Sequence, residues 1–427
     1  MNNLKKNLKI RFEIVCVLCV ACTLSQLLIV NTAVAETPAA VEANENWFSG
    51  AWLDGSWMPQ SVQIHGFLSQ GFVHTSDNNF FGKSDDSVST DYRELGINGS
   101  WRVIPELQLS MQVVYRDAGL TDDQDVRIDY GIADYSFYST ESSLLGLKGG
   151  RIPTPLGFYN ETRDVLSNRP TILLPQSIYF DKNRNISISA DGGYLFGEHR
   201  TEFGDFFFDV GAVIPRLNDP DGEFALTRDL PGKFSGNLSW IGRIAYEWQS
   251  GRIRTSITYA DFHVKYKSNN SIIQPGKLQF NPLIFSVQYN GENWSLTGEY
   301  EFAHRHFNDF GAPLDSNTTS IGYYVQGTYK FTSWMEGLVR YDNLIVDKND
   351  KNGKKFSAST GGLLPAHSRF AEDLTVGLRF TIIPNLLFSA EYHHINGTAW
   401  LADIENKDRT KTKKRWDMFL WMISYNF

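Results

Sequence analysis

From residue 62 onward the chain alternates between apolar and polar positions. Leu107, Leu109, Met111, Val113 and Tyr115 fall on one side of an extended segment, with Gln108, Ser110, Gln112 and Arg116 on the other. Residues 238–249 repeat this, setting Leu238, Trp240, Gly242, Ile244, Tyr246 and Trp248 against Ser239, Arg243, Glu247 and Gln249. Residues 294–301 set Trp294, Leu296, Gly298 and Tyr300 against Ser295, Thr297, Glu299 and Glu301. Residues 321–331 set Ile321, Tyr323, Val325, Tyr329 and Phe331 against Tyr324, Gln326, Thr328 and Lys330. A period of two means a strand with one face in apolar surroundings and the other in polar ones. Such segments predict strands at 62–74, 90–101, 106–117, 126–138, 144–151, 185–197, 204–215, 237–249, 252–265, 277–290, 293–305, 318–331, 334–346, 372–383, 385–396 and 415–427. That is sixteen, an even number, as a single-chain barrel with both ends on one side of a membrane requires. Residues 126–138 fit either phase and 144–151 is short, so fourteen and eighteen strands stay open.

The connections sort by parity. One set is tight, at Ile104-Pro105, Ser250-Gly251, Gly291-Glu292, Thr332-Ser333 and Pro384. The other is long and polar, at 75–89, 118–125, 152–184, 217–236, 266–276, 306–317, 347–371 and 397–414. A soluble sandwich has no reason to sort its loops this way, and sixteen strands are many for one soluble domain. No Pro-, Ser- or charge-rich linker divides residues 62–427, and no apolar run there is long enough for a membrane helix. A chain that spans lipid without helices must close its sheet, because lipid leaves no water to satisfy open edges. The expected fold is all-β, a transmembrane antiparallel β-barrel of about sixteen strands over residues 62–427.

The N-terminus carries a second pattern. Lys5, Lys6, Lys9 and Arg11 precede an apolar run from Phe12 to about Val30, and Ala33-Val34-Ala35 follows as a small-x-small site. This order predicts a secretory signal peptide, residues 1–35, cleaved after Ala35. An uncleaved anchor is the rival, and a lipoprotein would need Cys22 in a lipobox that Cys19 disrupts. All three cysteines (Cys16, Cys19, Cys22) lie in this segment, so the mature chain has no disulfides and no thiolate metal site. Residues 36–61 form a periplasmic N-terminal segment in which Trp47, Phe48, Trp52, Leu53 and Trp57 suit the barrel rim or the bilayer interface. Removing residues 1–35 takes four of the 40 basic groups and one of the 48 acids, leaving a net charge near −11. That balance excludes a nucleic-acid partner.

The last segment ends on an aromatic residue, with Phe419, Trp421, Ile423, Tyr425 and Phe427 on one face. It resembles the terminal signature read by the outer-membrane barrel assembly machinery, with Ile423, Tyr425 and Phe427 as the assembly signal. Gly149-Gly150-Arg151-Ile152-Pro153-Thr154-Pro155-Leu156-Gly157 is similar to the strand-to-loop passage of the phosphate-selective and dicarboxylate-type porins of Gram-negative bacteria. The resemblance covers nearly all of the mature chain as pattern. It implies a sixteen-stranded porin in the bacterial outer membrane, a homotrimer among outer-membrane lipid and lipopolysaccharide. It would be delivered by periplasmic chaperones and the assembly machinery, with neither cofactor nor enzymatic activity. It further implies that the third external loop, here 152–184, folds inward and narrows the lumen. That loop carries Glu161, Arg163, Asp164, Arg169, Asp181, Lys182 and Arg184, stiffened by Pro153, Pro155, Pro170 and Pro175. The other reading is a solvated external loop.

Pore selectivity comes from rings of charged side chains at the narrowest point. The faces expected to point inward offer Arg116, Arg243, Arg254, Lys330, Arg340 and Arg379, and Glu94, Glu247, Glu299, Glu301, Glu336 and Glu391. No unbroken ladder of Arg and Lys runs through them, which counts against phosphate specificity. Any one of them also fits as hydrated filler. His393 and His394 point to opposite faces of a strand and cannot share an ion. His304 and His306 share a face at a loop edge without carboxylate or Cys neighbours at ligand spacing. Asp347 to Gly353 opens like a calcium loop and departs from it at Lys351, Gly353 and Ala358. The expected function is a water-filled channel for passive diffusion of small hydrophilic solutes or ions. The alternatives are a barrel enzyme such as a lipid hydrolase, for which no nucleophile motif stands out, and a plugged structural or surface-recognition barrel.

Overall fold

A computed structural model describes residues 61–217, 224, 232–269, 273–311 and 314–427. The expected signal peptide and nearly all of the 36–61 segment lie outside the described residues. Sixteen strands follow one another: β1 (Val62–Thr75), β2 (Ser89–Ile104), β3 (Leu107–Ala118), β4 (Asp123–Ser139), β5 (Ser143–Pro153), β6 (Ser189–Thr201), β7 (Gly204–Pro215) and β8 (Gly232–Trp248). The second half comprises β9 (Ile253–Ser268), β10 (Gly276–Asn290), β11 (Trp294–Asn308), β12 (Ser316–Lys330), β13 (Met335–Ile345), β14 (Phe370–Ile383), β15 (Leu386–Gly397) and β16 (Arg415–Asn426). Each pairs antiparallel with its sequence neighbours, and β1 closes the ring on β16 from Phe67↔Asn426 to Thr75↔Met418. No sheet edge is left, which is the condition for a sheet to stand in lipid. Among the described residues no helix is long and apolar enough to cross a membrane.

The alternation sets the two faces. Leu109, Met111, Trp240, Ile244, Trp294, Leu296, Val325 and Tyr329 are exposed on the outer wall, while Thr297, Glu299, Glu301, Tyr324 and Gln326 are buried on the inner one. The tight turns take the backbone that short hairpins need. Gln249 and Ser250 adopt φ of 48° and 54°, the left-handed values that match the twist of the flanking strands.

The strand expected at 185–197 begins later, at Ser189. Arg184–Ser187 instead makes a helical turn in which the Ile188 N–H donates to the Arg184 carbonyl at 2.9 Å. The last strand is apolar on both faces. Inward-pointing Trp416, Met418, Leu420 and Met422 pack with Val73, Phe80, Phe81, Tyr92, Leu166, Ile172, Leu173 and Trp400. A second apolar cluster joins Leu156 to Ile152, Ala190, Tyr194, Val213, Ile241, Ala260, Phe262 and Ile284. Both clusters contain residues of the 154–188 connection, so burial of apolar area there holds that segment against strands far apart in the ring.

Candidate functional site

The connection between β5 and β6 is the longest of the described loops, and its base is pinched shut. Thr154 N–H donates to the Ile188 carbonyl at 3.0 Å. The Asn160 amide donates to the Thr154 carbonyl (3.0 Å), the Thr154 hydroxyl (2.8 Å) and the Ser187 carbonyl (2.8 Å). Beyond this neck the segment has almost no regular structure, so its buried backbone groups need partners from elsewhere.

The strands supply them, and charge decides which supplies what. Wall carboxylates take loop N–H groups. Glu299 accepts from Phe158 at 3.0 Å, Asp342 from Gln176 and Ser177 at 2.7 and 3.3 Å, and Glu391 from Ile172 and Leu173 at 2.6 and 3.3 Å. Wall guanidiniums take loop carbonyls. Arg340 donates to Leu173 at 3.0 Å, and Arg379 to Leu166 and Arg169 at 2.7 and 3.0 Å. Glu299 is the most heavily used group. Its two oxygens also accept from Ser286 (2.5 Å), Tyr179 (2.5 Å) and Tyr324 (2.8 Å), filling its acceptor capacity. Gly322 lets the loop approach β12 closely, since a Cβ there would stand 2.3 Å from the Ser177 carbonyl oxygen.

On the β2–β4 side the ties are ion pairs. Arg116 bonds Glu94 at 3.1 Å, Asp122 at 3.4 Å and Asp181 at 2.8 Å, while Arg169 reaches Glu94 at 2.9 Å. Arg163 pairs with Asp181 at 3.4 Å, and Arg184 with Asp164. Burial pushes the Asp164 carboxyl up, but Arg184 above all, then a hydrogen bond with Asp129 and the Arg163 charge, outweigh it and hold the group below the ordinary carboxylate range. Asp181 follows the same logic, with Arg116 the strongest of its guanidiniums and the net shift downward. Burial depresses Arg163 to about 10 and lifts Tyr159 to about 12.

The chain matches no protein-family model and no curated protein. Solved structures do match. An anion-selective porin from Comamonas acidovorans is 12% identical, over 86% of this chain and 99% of that one, with a TM-score of 0.55. The outer membrane channel DcaP of Acinetobacter baumannii is 12% identical, over 86% and 97%, with a TM-score of 0.53. OmpT of Vibrio cholerae in its trimer form is 10% identical, over 86% and 99%, with a TM-score of 0.51. The fold is that of a Gram-negative outer-membrane porin.

Within this porin fold the charges named from the sequence divide into two groups. Glu94, Arg116, Glu299, Glu301 and Arg340 are buried, as are Arg163, Asp164, Arg169 and Arg184 of the loop. The five strand residues lie on the inner face, the side that alternation assigned to them. Glu94, Arg116, Glu299, Arg340, Asp164 and Arg169 tie loop to wall, while Arg163 and Arg184 brace the loop against its own Asp181 and Asp164, so none of these is a hydrated wall charge. Lys182 pairs outward with Asp403 of the 398–414 loop. Arg243, Glu161, Arg254 and Glu247 form the other group. Arg243 bonds both the buried Asp209 (2.7 Å) and Glu161, and Arg254 bonds Glu247 at 2.8 Å, with the side chains of Arg243, Glu161, Arg254 and Glu247 partly exposed. Lys148 and Arg254 lie over the rings of Phe196 and Phe158 at 4.5 and 5.2 Å. Lys330 and Glu336 are register partners near the β12–β13 turn. At the C-terminus the Tyr425 and Phe427 rings stack at 6.4 Å, beside Gly66, while Ile423 faces outward opposite Gln70.

Sequence reasoning did not single out Lys148, Asp209, Asp342 or Asp373, although each is a polar residue in an inward phase. His393 has no role in the alternating pattern beyond a metal site it cannot share with His394. It is wholly buried, with Nδ1 2.9 Å from Asp373 and Nε2 3.3 Å from Glu391, the carboxylate that also holds Ile172 and Leu173. Among the described residues no group of three or more His, Cys, Asp or Glu is placed to hold a metal ion.

Proposed function

We propose that this chain is an outer-membrane porin conducting small hydrophilic solutes and ions passively, and that segment 154–188 lies in the lumen and sets its narrowest point. The observation that carries this reading is the set of bonds from that one segment to inner-face side chains of β2, β3, β11, β13, β14 and β15. A segment bonded to the inner faces of strands around a ring must cross the ring. Charged pairs with partly exposed side chains on β7–β9 supply the polar lining that a water-filled passage needs. The chain is taken to reach the outer membrane by cleavage after Ala35, and mass analysis of the mature protein tests that. Trimerisation is proposed by analogy with the OmpT trimer form. It is tested by sedimentation of the detergent-solubilised protein.

The test of the main reading is planar-bilayer recording of refolded protein, with stable open-channel steps expected and their absence refuting it. The same all-round anchoring favours one second reading, a barrel occluded at rest. Liposome swelling with uncharged sugars separates the two, since an occluded barrel admits none. A hydrolase is not favoured by any cluster described above. Lipid hydrolysis abolished by a single Ser→Ala change would reverse that judgement.

A further inference from the structure

On the outer wall the lipid-facing phase turns polar towards one end of β9–β12. On β9 it runs from the exposed Ile257 and Tyr259 to Asp261, His263 and Lys265, and on β11 from Leu296 and Phe302 to His304 and His306. The register sets His304 between Asn281 and Thr319, and His306 between Gln279 and Asn317. The connection after β13 reaches this face, where the Lys348 N–H donates to the Thr319 carbonyl at 2.8 Å. Between them is a cavity of about 470 Å³, lined by Tyr259, Asn281, His304, His306, Asn317 and Lys348. These strand ends carry the long connections, which in outer-membrane barrels face the exterior. The cavity therefore stands just beyond the lipid-facing band, at the level of the outer-leaflet headgroups.

Its surroundings are cationic. Lys265 and Lys277 are direct register partners, as are Lys233 and Lys267, and all four are exposed. Like charges directly opposite one another destabilise a sheet. Asp309 offsets Lys277 at 3.5 Å. Asp261, the carboxylate of this face, is already engaged. It accepts from Gln279 at 2.9 Å and Asn281 at 2.7 Å, and pairs with His263 at 3.0 Å. On the connection, Asp347 accepts the Asn349 N–H at 2.9 Å. An anion seated among the lysines and histidines relieves the repulsion that these groups leave.

We propose that this outer-wall cavity binds the phosphorylated sugar headgroup of an outer-leaflet glycolipid, with Lys348, His304 and His306 holding the phosphate. An ammonium group makes charge-assisted bonds to phosphate oxygens, and a histidine ring donates an N–H to them whether neutral or charged. The Thr319 hydroxyl, 2.8 Å from His304 Nδ1, fixes that ring. The amides of Asn281 and Asn317 suit sugar hydroxyls. A soluble phosphate gains the polar contacts alone. A lipid gains these and the exposed apolar wall of Ile257, Tyr259 and Phe302 as well. The proposal rests on the outer-membrane fold and not on conductance.

The experiment titrates the full mature protein in detergent with bisphosphorylated lipid A, read by native mass spectrometry. Dephosphorylated lipid A and inorganic phosphate are the comparison probes. Wild type is expected to bind the phosphorylated lipid about tenfold more tightly than the dephosphorylated one, the equivalent of one charge-assisted hydrogen bond. That comparison needs no variant and so does not depend on variant folding. Lys348→Gln should lose about the same tenfold and His304→Gln several-fold. Lys83→Gln, which removes an exposed charge on the β1–β2 connection, should lose nothing. Equal affinity for the two lipids overturns phosphate recognition. Inorganic phosphate that displaces the lipid at matched concentration overturns the lipid as the source of the phosphate. Folded Lys348→Gln and His304→Gln proteins that bind like wild type overturn the site. Single-channel conductance should be the same in every variant, because the cavity lies outside the ring. A wild type that binds lipid A as expected without conducting refutes the porin reading alone, and one that conducts without telling the lipids apart refutes this site alone.

Discussion

Glu299 offers the sharpest test of whether inward charges serve the permeating solute or the loop. Its carboxylate is buried and accepts from the Phe158 N–H, Ser286, Tyr179 and Tyr324. Hydrogen bonds to a charged group contribute about 1.5–3 kcal/mol each. In Glu299→Ala the Phe158 N–H is left buried without an acceptor, while the three hydroxyls recover part of their loss by rotating. The net weakening of the loop's hold is roughly 4 kcal/mol, about a thousandfold in its local opening equilibrium. Glu299→Gln keeps the shape and one oxygen for Phe158 and turns an amide toward the two tyrosine hydroxyls, which can accept. Its expected cost is about 1–2 kcal/mol, near tenfold in opening. Hydrogen–deuterium exchange resolved by peptide reads this directly. Peptides spanning 154–188 should lose protection in the order wild type, Gln, Ala, while strand peptides stay protected because the barrel ladder is untouched. An Ala variant with wild-type loop protection would refute the anchoring argument. A changed permeability ratio without any loosening of the loop would restore Glu299 as a hydrated wall charge.

Three further outcomes are expected. Asp164 and Asp181 are held below the ordinary carboxylate range in the folded protein, so the stability they contribute is present above pH ~4 and lost as pH falls through their folded values. Loop peptides should therefore lose exchange protection between pH ~4 and pH ~2, and a loop equally protected at both ends of that window would contradict the assignment. Gly322→Ala places a Cβ 2.3 Å from the Ser177 carbonyl oxygen and should push the loop off β12, raising conductance noise at unchanged barrel content by circular dichroism. Phe427→Ala removes the ring that lies against Gly66 beside the β1–β16 closure, and should lower the folded fraction in outer-membrane preparations, read as the heat-modifiable band.

The strands were legible because lipid imposes a one-dimensional rule. Each wall residue faces lipid or lumen, so the two solvents write a period of two directly into the chain. Gly204–Pro215 emerges with the bounds expected of it, and most other strands shift by only a few residues at either end. β6 is the instructive departure. Residues 185–188 carry an alternating pattern, yet the Arg184 side chain is drawn to Asp164 and the backbone turns helical until Ser189. Alternation is a local quantity, and a bond between residues twenty apart overrode it.

The role of each charge was not legible. Alternation says that Arg116, Arg243, Glu299 and Arg340 point inward. It cannot say that three of them are buried and the fourth stays partly exposed. That depends on where an irregular segment finds partners for its own N–H and C=O groups, which is set by strands hundreds of residues away, as when Glu391 takes the N–H of Ile172. By itself the sequence determined a barrel of about sixteen alternating strands, the parity of the connections and the inward set of polar residues, because each follows from contact with one solvent or another; the closed ring decided the count. Only the tertiary structure decided which inward charges are buried ties and which stay partly exposed, because burial is a property of the loop and the strands it bonds together.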